Sequence, residues 1–539
     1  MPFRHSFVWL SMALLLLMQG PAAFATVWHV EPDGTGTFPT IQDAINAASN
    51  QDVVELGDGT FRGTGNRDVN LLGKVIVVRS ASDNPALCIL DIEGQLDDNH
   101  RGFLLANHEG PGTGFRGFTL RNGCMRGDST SVGRGGAVYL GVGGGASPFF
   151  ENMRFEQNTA LNGGAVYVHI GSVVRFDDCE FIGNLAFDYS SIGQGGALYL
   201  RQSVTTLTRC RFTENQSSDG GGAVAEGGGA VTILDCEFVG NAQLESGPDR
   251  GGGAVASGGS AAVSGCRFSN NHTQSLGGYG GALLAHHLEM VDSEFIENFA
   301  APTWGSGGAV SLVAGEPPMS TIDRCKFLRN VGGSHGGAIM IDREDTSIKN
   351  CHFEGNSLTS IYYAVGAALW MMDCHAEILE CTFVENSGAD DGGAVYTHCF
   401  YSDVSIAMEG CTLIENSATN GGGIFFGCPG QGSSILRTII AFNRGGGAIA
   451  GFADPPTVAC SDIYGNRGGD SLFGIDKGGN FSADPLFCNA PIGDLTISEE
   501  SPCAPANSGG CGLIGAHPVG CGTVSVEPKS WGQIKGMYR

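Results

Sequence analysis

The chain has 539 residues and an acidic composition, with 29 Lys and Arg against 55 Asp and Glu and a formal net charge of −26. This balance argues against a surface that binds nucleic acid or anionic membranes, because both need clustered Lys and Arg. Glycine contributes 87 residues without a three-residue period, which excludes collagen, and a 42% share of hydrophobic residues is enough to fill a core.

Residues 1–25 are predicted to be a secretory signal peptide. A basic start precedes an apolar run over residues 7–18, and Ala23 and Ala25 supply the small residues of a cleavage site before Thr26. A membrane anchor is the alternative, but the run is short for a bilayer and ends in Gly-Pro. We therefore expect a secreted protein, or one on the outer surface of the cell envelope, with no transmembrane segment after cleavage.

Residues 26–130 are predicted to hold an N-terminal cap followed by the first, less regular turns of a β-structure. Ile41, Ala44, Ile45 and Ala48 have i, i+3, i+4, i+7 spacing, which predicts a short amphipathic helix. Five later segments are predicted as strands, at 53–56, 75–78, 88–91, 103–105 and 118–120. The helix would cover an open hydrophobic end of the strands.

Residues 131–450 consist of a repeat built from two motifs. One motif is Gly-Gly-Ala followed by an aliphatic residue, and the other is Cys-x-Phe-x-x-Asn, as at residues 179–184. Copies of the first motif begin at Gly135, Gly163, Gly195, Gly221, Gly252, Gly280, Gly307, Gly336 and Gly392. Two interleaved motifs at this spacing predict a solenoid with one coil per repeat.

The second motif predicts which side chains face the core. Cys and Phe lie two residues apart and share one side of a strand, which Phe marks as the core. The residues flanking Cys then face water, and they alternate between acidic and basic pairs, as at Asp178/Glu180 and Arg209/Arg211. We predict that stacked coils pair these charges, the alternative being a strip that binds a charged ligand. The motif Asn is predicted to hydrogen-bond the Asn of the next coil.

Residues 31–45, which read EPDGTGTFPTIQDAI, resemble the opening of the pectin-lyase-like right-handed β-helix superfamily, pectin methylesterases included. The Gly-Gly-Ala and Phe-x-x-Asn repeats are similar to those of the polymorphic outer-membrane-protein adhesins. These resemblances imply an all-β fold, a single-stranded right-handed parallel β-helix with a short N-terminal capping helix. They leave the function open, because such folds host both enzymes and adhesins.

Residues 451–521 resemble the Cys-containing closing segment of secreted bacterial β-helix proteins, and residues 522–539 are interpreted as either a sorting or attachment tag or a disordered end. The cysteines of the repeat are predicted to be buried thiols, and Cys399 and Cys428 are expected to stack in adjacent coils. In the closing segment we expect disulfides, with three connectivities open among four cysteines. These four are Cys488, Cys503, Cys511 and Cys521.

No catalytic arrangement stands out in the sequence. The motifs of pectin methylesterases and polygalacturonases are missing, and the acidic pair Asp390-Asp391 is interpreted as a solvated turn. The scattered histidines, His335 among them, are interpreted as exposed or capping residues. We therefore expect no cofactor or metal, and Ca²⁺ enters only under the alternative of a lyase with a carboxylate cluster and an Arg or Lys base.

Loop length indicates the function better than the search for catalytic motifs does. The loops between the motif Asn and the next Gly-Gly leave the solenoid at one corner and are expected to share one face. The longer loops carry the aromatic residues Phe187, Tyr189, Tyr279, Phe299, Trp304, Tyr362 and Tyr363. Exposed aromatics on a rigid acidic rod suit stacking on sugars or docking of a protein, the alternative being rings that fold onto their own loops. We expect a non-catalytic, adhesin-like protein that binds a cell-surface glycan or protein, with a polysaccharide lyase or hydrolase as the alternative.

Overall fold

The computed structural model shows an all-β parallel solenoid of about 14 turns with one α-helix. The structure describes residues 25–126, 133–141, 145–187, 193–244, 251–274, 277–314, 319–428, 432–452 and 455–522. The predicted signal peptide, apart from Ala25, and the predicted tail from residue 523 onward lie outside the described residues. None of the helices within these ranges is long and apolar enough to cross a membrane.

Each regular coil contributes strands to four stacked columns. In chain order, the GGA column begins at the aliphatic residue of the Gly-Gly-Ala motif, and the middle column precedes the motif cysteine. The Phe column then carries the motif phenylalanine, and the short column follows the motif asparagine. The GGA and middle columns form one sheet of 29 strands, and the Phe column forms a sheet of 15. Neighbouring coils pair in parallel, as Val138–Leu140 does with Val166–Val168.

The GGA column comprises Val69–Asn70, Phe103–Leu105, Val138–Leu140, Val166–Val168, Leu198–Leu200, Val224–Glu226, Val310–Val313, Ile339–Asp342, Leu369–Met372, Val395–His398, Ile424–Phe426 and Ile449–Gly451. The middle column comprises Val27–Val30, Val53–Leu56, Val77–Ser80, Gly114–Arg116, Phe149–Glu151, Val173–Asp177, Val204–Thr208, Ala230–Leu234, Ser320–Asp323, Thr346–Lys349, His375–Leu379, Ser405–Glu409, Ser434–Leu436, Thr457–Ala459 and Ile475–Asp476. Two long strands, Val255–Ser264 and Leu283–Val291, run through both columns.

The Phe column comprises Gly59–Phe61, Cys88–Asp91, Thr119–Arg121, Arg154–Glu156, Glu180–Ile182, Arg211–Thr213, Glu237–Val239, Arg267–Ser269, Glu294–Ile296, Lys326–Leu328, His352–Glu354, Thr382–Val384, Thr412–Ile414, Ile439–Ala441 and Asp462–Tyr464. The short column comprises Cys124–Met125, Thr159–Ala160, Leu185–Ala186, Gln216–Ser217, Ala242–Gln243, His272–Thr273, Val331–Gly332, Ser357–Leu358, Ala389–Asp391, Ser417–Asn420 and Arg444–Gly445. These loop-flanked strands set the corner from which the longest loops leave.

The predicted cap is confirmed as a helix at Ile41–Ala47, with Thr40 as its N-cap. The Thr40 hydroxyl accepts a hydrogen bond from the Asp43 backbone N–H at 3.2 Å, and Ile41, Ala44 and Ile45 are buried against the first coils. Three of the five strands predicted after it have the predicted bounds. The other two begin one or two residues later than predicted, at Thr119–Arg121 and Val77–Ser80.

The core is built from ladders of identical side chains. Phenylalanines of the Phe column stack coil upon coil, with ring centroids 4.6–5.2 Å apart from Phe155 to Phe383. The motif cysteines stack beside them as buried free thiols, which confirms the prediction from the two-residue spacing. Burial raises the pKa of the Cys210 thiol, so this thiol remains uncharged.

The motif asparagines form a continuous hydrogen-bonded ladder inside the turn after the Phe column. Each side-chain Nδ2 donates to the Oδ1 of the next Asn, as from Asn241 to Asn271 at 2.9 Å. The same Nδ2 also donates to a backbone carbonyl oxygen of the preceding coil, as from Asn241 to Phe212 at 3.0 Å. The predicted Asn-to-Asn bond is therefore confirmed, and these buried amides are satisfied.

The charged residues flanking the cysteines pair across coils as predicted. Arg209 bonds Asp178 at 2.7 Å, and Arg211 lies 3.4 Å from Glu237. Similar pairs join Arg267 and Lys326 to Glu294. Because these side chains are about half exposed, each pair contributes only about 0.2–1 kcal/mol, and its main effect is to favour the correct register.

The closing segment folds back on the last coils and differs from the predicted cysteine pairing. Disulfides join Cys488 to Cys521 and Cys460 to Cys511, while Cys503 is a buried free thiol. The expectation of disulfides in the closing segment is confirmed, and Cys488–Cys521 lies within the expected set of four. The expectation that all four pair among themselves is wrong, because Cys511 bonds to Cys460 of the solenoid. The segment contains the strands Phe487–Asn489, Asp494–Ser498 and Val519–Cys521 and the 3₁₀ turn Ala490–Ile492.

Candidate binding face

The turn into each GGA strand sets the corner from which the loops emerge. Gly163 begins one such turn with φ of 61°, a left-handed conformation that glycine adopts at little cost. A Cβ on the following Gly164 would lie 2.1 Å from the carbonyl oxygen of Gly196 in the next coil. The paired glycines therefore allow the coils to approach closely, and the preceding loop leaves at the same corner in every coil.

The middle residue of each GGA strand points away from the core, and these residues stack in register. In chain order they are Tyr139, Tyr167, Tyr199, Ala225, Ala256, Leu284, Ser311, Met340, Trp370, Tyr396 and Phe425. Most are buried even so, because neighbouring side chains such as the loop residue Val365 pack over them. We call this column with its flanking loops the GGA face.

Four residues of the corner loops form an exposed cluster on the GGA face, which we call the aromatic patch: Trp304, Ile361, Tyr362 and Tyr363. Their exposed fractions are 55%, 88%, 65% and 50%, respectively. The Trp304 and Tyr362 rings are parallel, with 5.8 Å between centroids and 7° between planes. The patch thus offers two parallel, stacked aromatic rings beside an aliphatic side chain.

The loop that carries Trp304 and the loop that carries Tyr362 contact each other across the shorter loop of the coil between them. Gly333 in that shorter loop makes this possible, because a Cβ there would lie 2.3 Å from the Ala301 carbonyl oxygen. The Ser360 hydroxyl also donates a hydrogen bond to the Thr303 carbonyl at 3.5 Å. Residues of two non-adjacent coils are therefore held together directly.

Asp390 and Asp391 fix the second loop of the patch to the next coil. The Asp391 carboxylate is buried and accepts hydrogen bonds from the Tyr363 hydroxyl and, at 2.7 Å, from Asn420 Nδ2. Asp390 accepts from the Ala364 backbone N–H at 2.9 Å. The interpretation of this pair as a solvated turn is therefore wrong. Burial and the hydrogen bond to Asp391 raise the pKa of the Tyr363 phenol.

The other predicted aromatics lie apart from the patch. Phe187 is half-buried with the Arg126 guanidinium 4.8 Å from its ring centroid, and Tyr279 is half-buried against the cluster of outward residues around Trp370. Phe299 is half-buried in a β-bridge ladder of the short column. Tyr189 lies outside the described residues. Of the described aromatics in the predicted set, the structure brings together the three of the aromatic patch.

A cavity of about 230 Å³ opens in the GGA face where the outward residues become small. Ala225 and Ala256 form its floor, whereas Tyr199 and Leu284 occupy the same position in the coils on either side. The remaining lining comes from Gln194, Gly220, Glu226, Gly227, Gly251, Ser257, Gly258 and His286. Two successive coils have alanine at the outward position, and this leaves a gap in the column between Tyr199 and Leu284.

Glu226 braces one wall of this cavity. Its carboxylate is buried and accepts hydrogen bonds from the Ser257 hydroxyl at 3.1 Å and from the backbone N–H groups of Gly229 and Gly259. These bonds join the loops of two coils. We assign Glu226 a structural role, because both of its oxygens are engaged.

A second exposed aromatic loop, which the sequence reasoning missed, lies beyond the other end of the GGA strands. Phe400 and Tyr401 are 70% and 77% exposed, and their ring centroids are 4.8 Å apart. The Asp373 carboxylate accepts backbone hydrogen bonds from both residues, and a disulfide joins Cys399 to Cys428 of the next coil. The expected stacking of these cysteines in adjacent coils is confirmed.

The structure places His335 in a different environment from the predicted one. His335 is not an exposed residue, since its ring packs 4.8 Å from that of Trp370 and burial lowers its pKa to about 4. Its Nδ1 lies 2.8 Å from the Ser334 hydroxyl, a neutral and structural contact. Within the described ranges, no three His, Cys, Asp or Glu side chains are grouped so as to hold a metal ion.

Comparison with known proteins gives one family match. The family described as "Right handed beta helix region" matches residues 121–272 and 251–424, which together exceed half of the chain. Among curated proteins, no sequence matches this chain.

Several solved structures are similar to this chain at low sequence identity and with low TM-scores. The catalytic unit of a GH87 α-1,3-glucanase from Streptomyces thermodiastaticus is 13% identical, covers 86% of this chain and 70% of its own, and has a TM-score of 0.41. The surface adhesin PfbA of Streptococcus pneumoniae is 11% identical over 79% and 86%, with a TM-score of 0.30. Carrot pectin methylesterase is 10% identical over 68% and 85%, with a TM-score of 0.24.

Proposed function

Because this chain belongs to the right-handed β-helix family, whose fold alone fixes no activity, we propose that it is an exported, non-catalytic protein that binds a glycan through its aromatic patch. The export part of the proposal is supported by the leader-like sequence at residues 1–25. The similarity of the repeats to those of polymorphic outer-membrane-protein adhesins supports a role at a cell surface.

The exposed parallel pair of Trp304 and Tyr362 is the observation that carries this proposal. An aromatic face is apolar, while the indole N–H and the phenol hydroxyl at its edge form hydrogen bonds. A sugar ring needs this combination, since it has a face of C–H groups and a rim of hydroxyls.

The frame under the patch favours binding because it is rigid. The Asn ladder, the stacked phenylalanines and the Asp391 bonds fix the two loops before any ligand arrives. A preorganised surface loses little conformational entropy on binding, so more of the contact energy appears as affinity.

The test is binding of purified protein to soluble polysaccharides by affinity electrophoresis, followed by calorimetry with any polysaccharide that retards it. The panel is pectin, alginate, chondroitin sulfate and a neutral α-glucan, each with and without Ca²⁺. Removing a central aromatic costs about 1–2 kcal/mol, so Trp304→Ala with Tyr362→Ala should weaken binding at least about tenfold. Phe400→Ala with Tyr401→Ala is the matched control, because it removes two rings outside the patch that are even more exposed than Trp304 and Tyr362.

Equal losses in the two double variants would contradict the proposal, since the contact would then be nonspecific. The same panel tests the alternative of a polysaccharide lyase or hydrolase. Release of oligosaccharides at ordinary enzyme rates, about 1 per second or faster, would overturn the non-catalytic part of the proposal.

A further inference from the structure

Two arginines converge on one tyrosine in the N-terminal part of the GGA face. Tyr139, Tyr167 and Tyr199 form an outward ladder, with ring centroids 5.5 and 5.3 Å apart. The Arg134 guanidinium lies 4.9 Å from the centroid of the central ring, Tyr167. Arg201 follows the next GGA strand, and its backbone N–H donates a hydrogen bond to the carbonyl oxygen of Val168, next to Tyr167, at 2.9 Å. The nearby Tyr167 phenol raises the pKa of Arg201. The two cations thus reach the same ring from opposite ends of the GGA strands.

Among the residues that the structure describes, neither guanidinium is neutralised by an acidic side chain. In the described part of the chain, no carboxylate forms an ion pair with Arg134 or Arg201. Arg175 provides the contrast, since it lies 4.9 Å from the Phe149 ring but pairs with Asp177 at 3.5 Å. The chain has a net charge of −26. Two neighbouring cations without acidic partners therefore form a local positive site on a largely acidic protein.

His169 supplies a third group whose hydrogen-bonding capacity is unused. It lies beyond the strand that carries Tyr167, with 6.1 Å between the two rings. Its Nδ1 atom is buried and has no hydrogen-bond partner, a state that native structures usually avoid. Burial and the positive charges of Arg201 and Arg134 lower the pKa of His169. The imidazole is therefore neutral at neutral pH and can present an N–H to an acceptor.

We propose that Arg134, Arg201 and His169 form an oxyanion-binding site on the Tyr167 platform, and that its ligand is the carboxylate or sulfate group of an acidic glycan. Guanidinium groups match the planar geometry of such oxygens, and their stacking on tyrosine orients them in advance. The identity of the anion's carrier rests on the proposed glycan-binding function, whereas the anion site itself does not.

The register of the coils also connects this site to the cavity on the GGA face. Tyr199 pairs with Ala225, and Leu200 pairs with Glu226, so Arg201 lies one coil before the cavity-lining Gly227. A glycan lying along the GGA face would place one acidic group on the arginines and a neighbouring sugar ring over the alanine floor.

The test follows His169 directly by NMR of protein labelled with ¹³C at histidine Cε1, with the His169→Asn variant used for assignment. Sodium sulfate, sodium galacturonate and chondroitin sulfate are the probes, and a neutral α-glucan is the negative probe. A bound oxyanion stabilises the imidazolium, so each acidic probe should raise the pKa of His169, and the neutral glucan should not. The charged groups around this ring are Arg134 and Arg201, with the Tyr167 phenol beside them.

The variant pair is Arg134→Gln with Arg201→Gln, and the matched control is Arg175→Gln. Glutamine retains much of the side-chain stem over the ring, so the platform stays covered. A charge-assisted hydrogen bond is worth about tenfold in affinity, so the double variant should bind galacturonate or chondroitin sulfate about 100-fold more weakly, and the control within about twofold.

Each outcome decides one of the two proposals. A rise in the His169 pKa with sulfate and galacturonate that disappears in the double variant supports the anion site. If that rise is present while no polysaccharide binds, the anion site stands and the glycan-binding function falls. An unchanged His169 pKa with all acidic probes, or equal weakening in the double variant and in Arg175→Gln, overturns the anion site even if neutral glycans bind.

Discussion

Replacement of Asn271 by alanine tests how the asparagine ladder supports the coils. Its Oδ1 accepts hydrogen bonds from the Asn241 backbone N–H at 3.0 Å and from Asn241 Nδ2 at 2.9 Å. Its own Nδ2 donates to the carbonyl oxygen of Phe238 and to Asn298. The substitution removes all four side-chain bonds and leaves two donors of Asn241 buried without an acceptor.

The expected loss follows from those two orphaned donors. Each buried unsatisfied donor costs about 1–3 kcal/mol, so the local opening free energy should fall by about 4 kcal/mol. Because a solenoid unfolds in parts, a single free energy of unfolding is not a suitable measure. Hydrogen exchange of the peptide covering residues 236–243 should accelerate by about three orders of magnitude.

Gln216→Ala is the control, since Gln216 belongs to the same region but its side chain is exposed. It should change exchange by less than about threefold, because surface substitutions stay within about 0.5 kcal/mol. An acceleration below about tenfold for Asn271→Ala would refute the claim that the buried amide ladder stabilises the coils.

Three further substitutions test other parts of the fold. Arg211→Glu would place like charges beside Glu180 and Glu237, so the melting temperature should fall by a few degrees at low salt and recover in about 1 M NaCl; a salt-independent loss contradicts the charge ladder. Burial raises the pKa of Asp462 to about 7, so its ionisation destabilises the closing segment as the pH rises from about 4 to about 7. Asp462→Asn should abolish that loss in exchange measurements at pH 5 and pH 8, and an unchanged pH dependence would show that another group is responsible. Ala225→Tyr should extend the tyrosine ladder and fill the cavity with less than about 1 kcal/mol change in stability, whereas a larger loss would mean that the floor of the cavity is not free.

The core could be predicted because its side chains are determined by the spacing of residues within a single repeat. The two-residue spacing of Cys and Phe determines which side chains share one side of a strand, and the repeat stacks them. The alternating charges beside Cys179 and Cys210 likewise predict the register, because only one alignment of coils pairs Asp178 with Arg209. The Asn ladder follows from the same stacking.

The binding face could be predicted only in part, because it depends on how loops of different coils meet. Ser360 and Thr303 are 57 residues apart, and their contact exists only because the intervening loop at Gly333 is short. That shortness is visible in the sequence, but the resulting contact between the longer loops is not. The same holds for Cys511, whose partner Cys460 lies in the last coil and outside the expected set of four cysteines.

One signal for the remaining part of the face was present in the sequence. A tyrosine directly follows the aliphatic residue of the Gly-Gly-Ala motif in three early copies, at Tyr139, Tyr167 and Tyr199. Alternation along a strand places that residue outward, so an outward aromatic column could have been inferred. The convergence of Arg134 and Arg201 on that column needs the coil register as well, and only the structure supplies it.

The most direct test of the central claim is a hydrogen-exchange footprint of the wild-type protein with and without its bound polysaccharide. If the glycan binds on the GGA face, protection should increase in the peptides covering residues 301–306 and 357–365, while the peptides of the Phe column with their outward charges should not change. Protection confined to the Phe column, or no protection while the polysaccharide is bound, would contradict the assignment of the aromatic patch as the binding site.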